Sequence, residues 1–175
     1  ASLHIPYITQ NKLDIVLNID SLSVKRVSNS YDVNRCSAVL KYAKNKPSQL
    51  NVLSDFVSIS AEGVLDYETI LEAWSAAITQ HAQVYALNND AINNIGNKSS
   101  MSFHVNIHKG DLLEKITLIP LKLTDGSTIQ GKLNKGDLIA EIVAHSDNIN
   151  YDNTEIENLS LHFKSNSIGA GLLLQ

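Results

Sequence analysis

The amino-acid sequence predicts an α+β fold: a mainly antiparallel β-sheet or flattened barrel packed against one long α-helix from about Asp66 to Asn88. Two periodicities predict this class. Apolar residues recur at every second position in several segments, which is typical of half-buried strands, and at three- and four-residue spacing after Asp66, which is typical of a helix on a sheet. The length of 175 residues suits one domain, so we expect a single domain over residues 1–175.

Three strands are predicted before the helix. In the first, the odd positions from Leu13 to Ile19 are apolar and most of the even positions are polar. The phase slips at Ser21, which predicts a bulge or bend before the strand continues to Val27. A turn over residues 29–34 leads to the second strand, from Cys36 to Tyr42, which also alternates. The third runs from Val52 to Ile59, although Phe56 lies out of phase with its apolar neighbours.

The helix has a start signal and an apolar stripe. Asp66 is a favourable N-cap residue, and Glu68 lies in the first turn, where the helix dipole favours negative charge. The apolar stripe consists of Ile70, Leu71, Trp74, Ala77, Ile78, His81, Val84 and Tyr85. A stripe of this width is expected to pack on a sheet.

Period-two alternation returns after the helix and predicts an antiparallel meander. Strands are predicted over Met101 to Ile107, Leu112 to Leu123, Leu138 to Ala144 and Leu159 to Phe163. Turns are expected at Asp125-Gly126-Ser127 and at Lys135-Gly136-Asp137, and an Asn- and Asp-rich loop from Ser146 to Asn158. The similar stretches Lys109–Ile116 and Lys135–Ile142 are each interpreted as a Gly-Asp turn that starts a strand.

Composition excludes several classes of function. Fourteen basic and eighteen acidic residues give a net charge of −4 without a dense basic cluster, so no nucleic-acid partner is expected. No apolar run approaches the roughly 20 residues that span a bilayer, and the first residues lack a signal-peptide layout, so no membrane is expected. The single cysteine, Cys36, excludes an internal disulfide and a thiolate cluster. We expect a cytoplasmic protein or a component of an assembled particle, without a cofactor.

The histidines are weighed as metal ligands and as catalytic groups. His104 and His108 lie four apart on a predicted strand, about 13 Å from one another, which is too far to share one metal ion. Asp14, Asp20 or His162 would have to complete any such site, and surface placement without metal is expected.

His81 lies in the apolar stripe of the predicted helix and is interpreted as a core histidine. The alternative makes it a general base with Cys36 or Ser75 as nucleophile, but no known motif surrounds either residue. Among the acids, the pairs Asp14 with Asp20, Asp111 with Asp137, and Glu155 with Glu157 are equally admissible, so no catalytic residue is assigned.

A long helix followed by antiparallel strands, with the segment Phe103-His104-Val105-Asn106-Ile107-His108-Lys109-Gly110-Asp111 after it, resembles the hotdog thioesterases. The resemblance covers about half of the chain and is one of fold only. It implies hydrolysis of acyl thioesters at a dimer interface, but the Gly-rich entry to the helix is missing.

The last residues carry the feature on which a function is predicted. A Gly-Ala-Gly joint over 169–171 precedes Leu172, Leu173 and Leu174, and burying these leucines would contribute on the order of 5 kcal/mol. They either complete the sheet of their own subunit or reach a neighbour, in which case they form an oligomer interface.

We therefore predict a non-catalytic structural subunit that self-assembles through strand edges and an apolar C-terminal arm, of the kind found in virions, phage tails or secretion tubes. One alternative is a hotdog-like thioesterase. Another is a binding module whose Ser146 to Asn158 loop recognises a polar ligand such as a carbohydrate.

Overall fold

The structure, a computed structural model, describes residues 2–9, 12–26, 29–44, 46–64, 100–117, 121–134, 139–151, 154–165 and 170–175. These residues form the strands β1 (Ser2–Thr9), β2 (Lys12–Ile19), β3 (Leu22–Arg26), β4 (Asn29–Val33), β5 (Cys36–Ala43), β6 (Pro47–Ser54), β7 (Val57–Val64), β8 (Ser100–Ile107), β9 (Leu121–Leu123), β10 (Thr128–Asn134), β11 (Ile139–Tyr151), β12 (Thr154–Ser165) and β13 (Ala170–Leu174). The helix α1 (Gly110–Thr117) lies between β8 and β9. None of the helical structure in these ranges is long and apolar enough to cross a membrane.

Eleven of the strands form one sheet in the order β1-β2-β5-β6-β7-β8-β10-β11-β12-β13, and β9 pairs with β11 off this path. Every pairing in the sheet is antiparallel. Strands β3 and β4 form a separate hairpin. Within the described ranges, β1 and β13 are therefore the two ends of this strand order, and the three-residue β9 also has a single partner strand.

The register of the sheet sorts its side chains into an apolar and a polar face. Directly opposed residues in antiparallel strands share a face, so a row of partners can be followed across the sheet. One such row, the apolar row, consists of Ile15, Leu40, Leu50, Ala61, Phe103, Gly131, Ile142, Phe163 and Leu172. The neighbouring row on the opposite face, the polar row, consists of Asp14, Lys41, Gln49, Glu62, Ser102, Lys132, Glu141, Lys164 and Gly171.

The buried apolar side chains of the main sheet lie on its apolar face and are Val57, Ile107, Leu133 and Ala140. Leu133 and Ala140 form a buried cluster, and the partly buried Phe163 packs against it. Phe103 covers Gly131, because a Cβ added to that glycine would lie 2.4 Å from the Phe103 ring. A side chain at this position would displace the ring, so the core here depends on glycine opposite an aromatic residue.

The predicted α+β class is wrong: the described part of the chain is nearly all antiparallel β-sheet, without a long helix on which the sheet could pack. The predicted helix from about Asp66 to Asn88 lies outside the described residues. The sheet is larger than predicted because the chain also forms strands where the sequence is polar. Residues 29–34, predicted as a turn, include β4, and β10 was not predicted.

The strand predicted from Leu112 to Leu123 is wrong as far as Thr117, where the chain forms the helix α1, while Leu121–Leu123 is the strand β9. The amide of Gly110 donates to Asp125 Oδ1 at 2.9 Å, which satisfies an N–H group at the start of the helix. Asp111 lies in the first turn and Lys115 in the last, where each complements the helix dipole. The interpretation of Lys109–Ile116 as a turn that starts a strand is therefore also wrong.

Two further boundaries differ from those predicted. β6 ends at Ser54 and β7 begins at Val57, so the predicted strand from Val52 to Ile59 spans a turn. The Ser54 hydroxyl closes this turn, because it accepts from the amide of Val57 at 3.0 Å and donates to its carbonyl at 2.9 Å. Phe56, which lies out of phase in the sequence, is in the turn.

The segment from Ser146 to Asn158 is not the predicted loop. β11 and β12 extend through it, and their register continues from Ser146 paired with Leu159 to Tyr151 paired with Thr154. Residues 154–158 are all exposed, so this end of the hairpin has little apolar side chain to bury. Its polar composition therefore resembles that of a loop.

Candidate functional site

The strand β13 places the three C-terminal leucines at the edge of the sheet. Its main chain pairs with β12, with Leu172 opposite Phe163 and Leu174 opposite Leu161. The side chains nevertheless remain largely in water: Leu172 is 60% exposed, Leu173 53% and Leu174 57%. The segment thus docks on its own sheet through its main chain while its apolar side chains stay uncovered.

Hydrogen bonding fixes which main-chain groups of β13 face outward. Gln175 and Ser160 exchange two bonds, with Gln175 N donating to Ser160 O at 2.9 Å and Ser160 N donating to Gln175 O at 2.8 Å. In an antiparallel pair such hydrogen-bonded positions alternate with positions whose N–H and C=O groups face away. The groups that point away from β12 therefore belong to Ala170, Leu172 and Leu174.

The opposite edge, β1, differs in two respects that hinder pairing with another strand. Pro6 has no N–H to donate, and the register between β1 and β2 shifts between His4 and Tyr7. Proline and β-bulges are both found on natural edge strands that resist association. β13 has neither a proline nor a charged side chain over Ala170–Leu174. It is the less protected edge.

A concavity of about 560 Å³ lies on the polar face. Its lining comes from β6, β7, β8, β10 and β11 and includes Gln49, Asn51, Ser60, Glu62, Ser102, His104, Gln130, Lys132 and Glu141. Amide, hydroxyl, carboxylate, imidazole and ammonium groups alternate here with apolar atoms, since Ala61, Phe103, Gly131 and Val143 also line the concavity. It therefore presents both hydrogen-bonding groups and apolar surface.

Glu141, one of the residues that line this concavity, is hydrogen-bonded to His162. His162 Nε2 lies 3.0 Å from Glu141 Oε1, and the two side chains are 44% and 26% exposed. This hydrogen bond holds the pKa of Glu141 below its ordinary value, and the neighbouring lysines Lys164 and Lys132 act in the same direction. Sequence reasoning did not pair these two residues, because the contact depends on the register between β11 and β12.

A second concavity, of about 420 Å³, lies near the start of α1. Lys122 Nζ lies 2.8 Å from Asp111 Oδ1, and this bond lowers the pKa of Asp111. Asn148 Nδ2 donates to Glu155 Oε1. These charges are thus partnered, and across the described ranges no group of three or more His, Cys, Asp or Glu side chains is placed to hold a metal ion.

The histidines considered as metal ligands do not converge in the part of the chain described. His104 and His162 share a row on the polar face but are separated by β10 and β11. Three strand spacings place them about 14 Å apart, too far to share one ion. His108 lies beyond the end of β8, where its amide donates to Phe56 O at 2.8 Å.

The residues of the enzymatic alternative are only partly described. His81 and Ser75 lie outside the described residues, and so does Asp137. Cys36 is a half-buried free thiol in β5, opposite Ile19 of β2. Of the remaining acids considered, Asp14 pairs with Lys12 at 3.2 Å.

The chain was also compared with known proteins. It matches no protein-family model, no curated protein and no solved structure.

Proposed function

We propose that this protein is a non-catalytic structural subunit that self-associates through the free edge of β13, as components of virions, phage tails or secretion tubes do. The observation that carries the proposal is an uncharged edge strand with three leucines more than half exposed. Main-chain groups of Ala170, Leu172 and Leu174 face outward along the same edge, so a partner strand would satisfy them and cover the leucines together.

The three leucines would contribute the apolar part of the free energy of association. A fully buried leucine contributes about 1.5 to 3 kcal/mol, so covering the exposed half of each side chain contributes about 1 kcal/mol. The outward N–H and C=O groups restrict the orientation and register of the partner strand, because they can form hydrogen bonds with it only in a limited set of registers.

Light scattering over a concentration series tests the proposal. We expect a mass larger than one chain for the unaltered protein, and a shift to monomer when Leu172, Leu173 and Leu174 are all replaced by serine. Leu53→Ser is the matched control, because Leu53 is 53% exposed but lies on the interior strand β6. A protein that stays monomeric at every concentration contradicts the proposal.

The concavity on the polar face supports a second candidate, binding of a polar ligand such as a saccharide. Amides and hydroxyls on Gln49, Asn51, Ser60 and Gln130 offer the paired donors and acceptors that sugar hydroxyls use. This surface differs from the Ser146 to Asn158 segment on which the sequence placed such binding.

Calorimetric titration with a panel of oligosaccharides tests this candidate. We expect Gln130→Ala to weaken binding about tenfold, since one or two hydrogen bonds to the ligand are lost. Thr128→Ala is the control, because Thr128 shares the strand and the face but does not line the concavity. Absence of binding across the panel removes the candidate.

A further inference from the structure

We infer that β13 pairs with β13 of a second copy, antiparallel, about a two-fold axis at Leu172. The inference rests on the proposed function and names its partner and geometry. The choice of β13 over β1 as the partner strand follows from the protection of β1 by Pro6 and by its register shift. Pairing β13 with itself also brings no like charges together, because the strand is uncharged.

The outward main-chain groups determine the register. They belong to Ala170, Leu172 and Leu174, which are spaced evenly about Leu172. An axis at Leu172 pairs this residue with the partner's Leu172 and pairs Ala170 with the partner's Leu174. All three outward positions then lie in hydrogen-bonded pairs, each of which exchanges two N–H···O bonds. An axis at Leu173 would leave Ala170 unpaired within the described strand.

Side-chain volumes agree with the same register. On the polar face, the axis at Leu172 places the partner's Leu173 directly opposite Gly171. A Cβ added to Gly171 would meet no atom within 4 Å, so there is open space above this glycine for the partner's leucine. A small residue opposite a large one lets the two strands approach without a clash.

The apolar row continues across this axis. Phe163 lies opposite Leu172 in one subunit, and the partner's Leu172 would follow in the same row. A two-fold axis perpendicular to the sheet keeps both apolar faces on one side, so the paired sheets form one surface with a continuous apolar face. Lys164 is the charged residue of the polar row nearest to the axis, and it lies opposite Gly171. The next residue in the row would be the partner's Leu173, so Lys164 would not face another lysine.

Disulfide trapping tests the register. In a Cys36→Ser background, Leu172→Cys should form a covalent dimer on mild oxidation, because Cα atoms of a hydrogen-bonded pair lie about 5.5 Å apart, within disulfide range. Leu173→Cys is the matched control. Its two copies would sit diagonally, about 7 to 8 Å apart, and should not cross-link. A mixture of Gly171→Cys and Leu173→Cys should give the mixed dimer.

The outcomes separate this inference from the proposed function. Light scattering of each reduced variant shows whether it still assembles. Oligomers in which Leu172→Cys does not cross-link with itself, or cross-links instead with Leu3→Cys of β1 in a mixed sample, overturn the two-fold pairing and leave the structural role standing. A reduced protein that is monomeric throughout, with no dimer after oxidation, overturns both.

Discussion

Replacing Leu172 by lysine tests the association of β13 with the least disturbance to the fold. The side chain is 60% exposed in the single chain, so the free energy of unfolding should change by no more than about 0.5 kcal/mol. Association should change far more. In the two-fold pair, both copies of Leu172 lose their apolar contact, about 1 kcal/mol each, and two lysines meet across the axis.

The charge effect adds to the apolar loss. Two ammonium groups about 6 Å apart in water repel by about 0.7 kcal/mol, so the total weakening is about 3 kcal/mol, or about 150-fold in the dissociation constant. Raising the salt concentration to about 1 M should recover the electrostatic part, since the Debye length falls to about 3 Å. The apolar part should persist.

Sedimentation equilibrium over a dilution series measures this change, with urea unfolding as the check on folding. Leu53→Lys is the control, because Leu53 is 53% exposed on an interior strand. A dissociation constant for Leu172→Lys within about threefold of the unaltered protein, or equal weakening by Leu53→Lys, would refute the reasoning.

Three further predictions concern the fold. Gly63→Ala should lower the free energy of unfolding in urea by about 3 kcal/mol or prevent folding, because Gly63 has a φ of 152° and an added Cβ would lie 2.0 Å from a backbone oxygen of β8. Unfolding close to that of the unaltered protein would contradict the pairing of β7 with β8 at this position. Glu141 has a pKa below its ordinary 4.5 because of the His162 bond, so this bond stabilises the fold above that pH and is lost as pH falls through the lowered value. Stability should therefore decline less in acid for Glu141→Gln than for the unaltered protein, and parallel pH profiles would count against the pair. Ser146→Ala should lower the free energy of unfolding in urea by about 1 to 2 kcal/mol, because the Ser146 hydroxyl loses its contact with the Ser127 hydroxyl at 2.7 Å and its bond to the carbonyl of Asn148 at 2.8 Å. An unchanged midpoint would show that water replaces these contacts.

Strands with strict alternation could be predicted from the sequence. β5 and β8 lie within a residue or two of the predicted spans, because each places every second side chain in a partly buried face. β2 confirms the alternation from Leu13 to Ile19 but not its predicted continuation to Val27, since Leu22–Arg26 is the strand β3 of the separate hairpin. The turn at Asp125-Gly126-Ser127 is also confirmed, since Gly126 has a φ of 88°. These features depend on a few consecutive residues.

Strands whose side chains are mainly polar could not be predicted in the same way. The hairpin of β11 and β12 continues through residues that resemble a loop, and its pairing is evident only in the register from Ser146 to Tyr151. The short helix α1 was missed for a related reason. Its N-terminal acceptor, Asp125, lies fifteen residues further along the chain, so the local pattern alone did not show it.

The features of the candidate site likewise depend partly on the sequence alone and partly on the tertiary structure. The sequence by itself determined that the chain carries a run of three leucines without charge, since this requires only the order of residues. Only the tertiary structure decided that the run is an edge strand with Leu172 and Leu174 directing main-chain groups outward, and that Glu141 meets His162. The physical reason is that strand order and register are set by pairing between distant segments, and a shift of one residue reverses which side chains and which N–H groups face a partner.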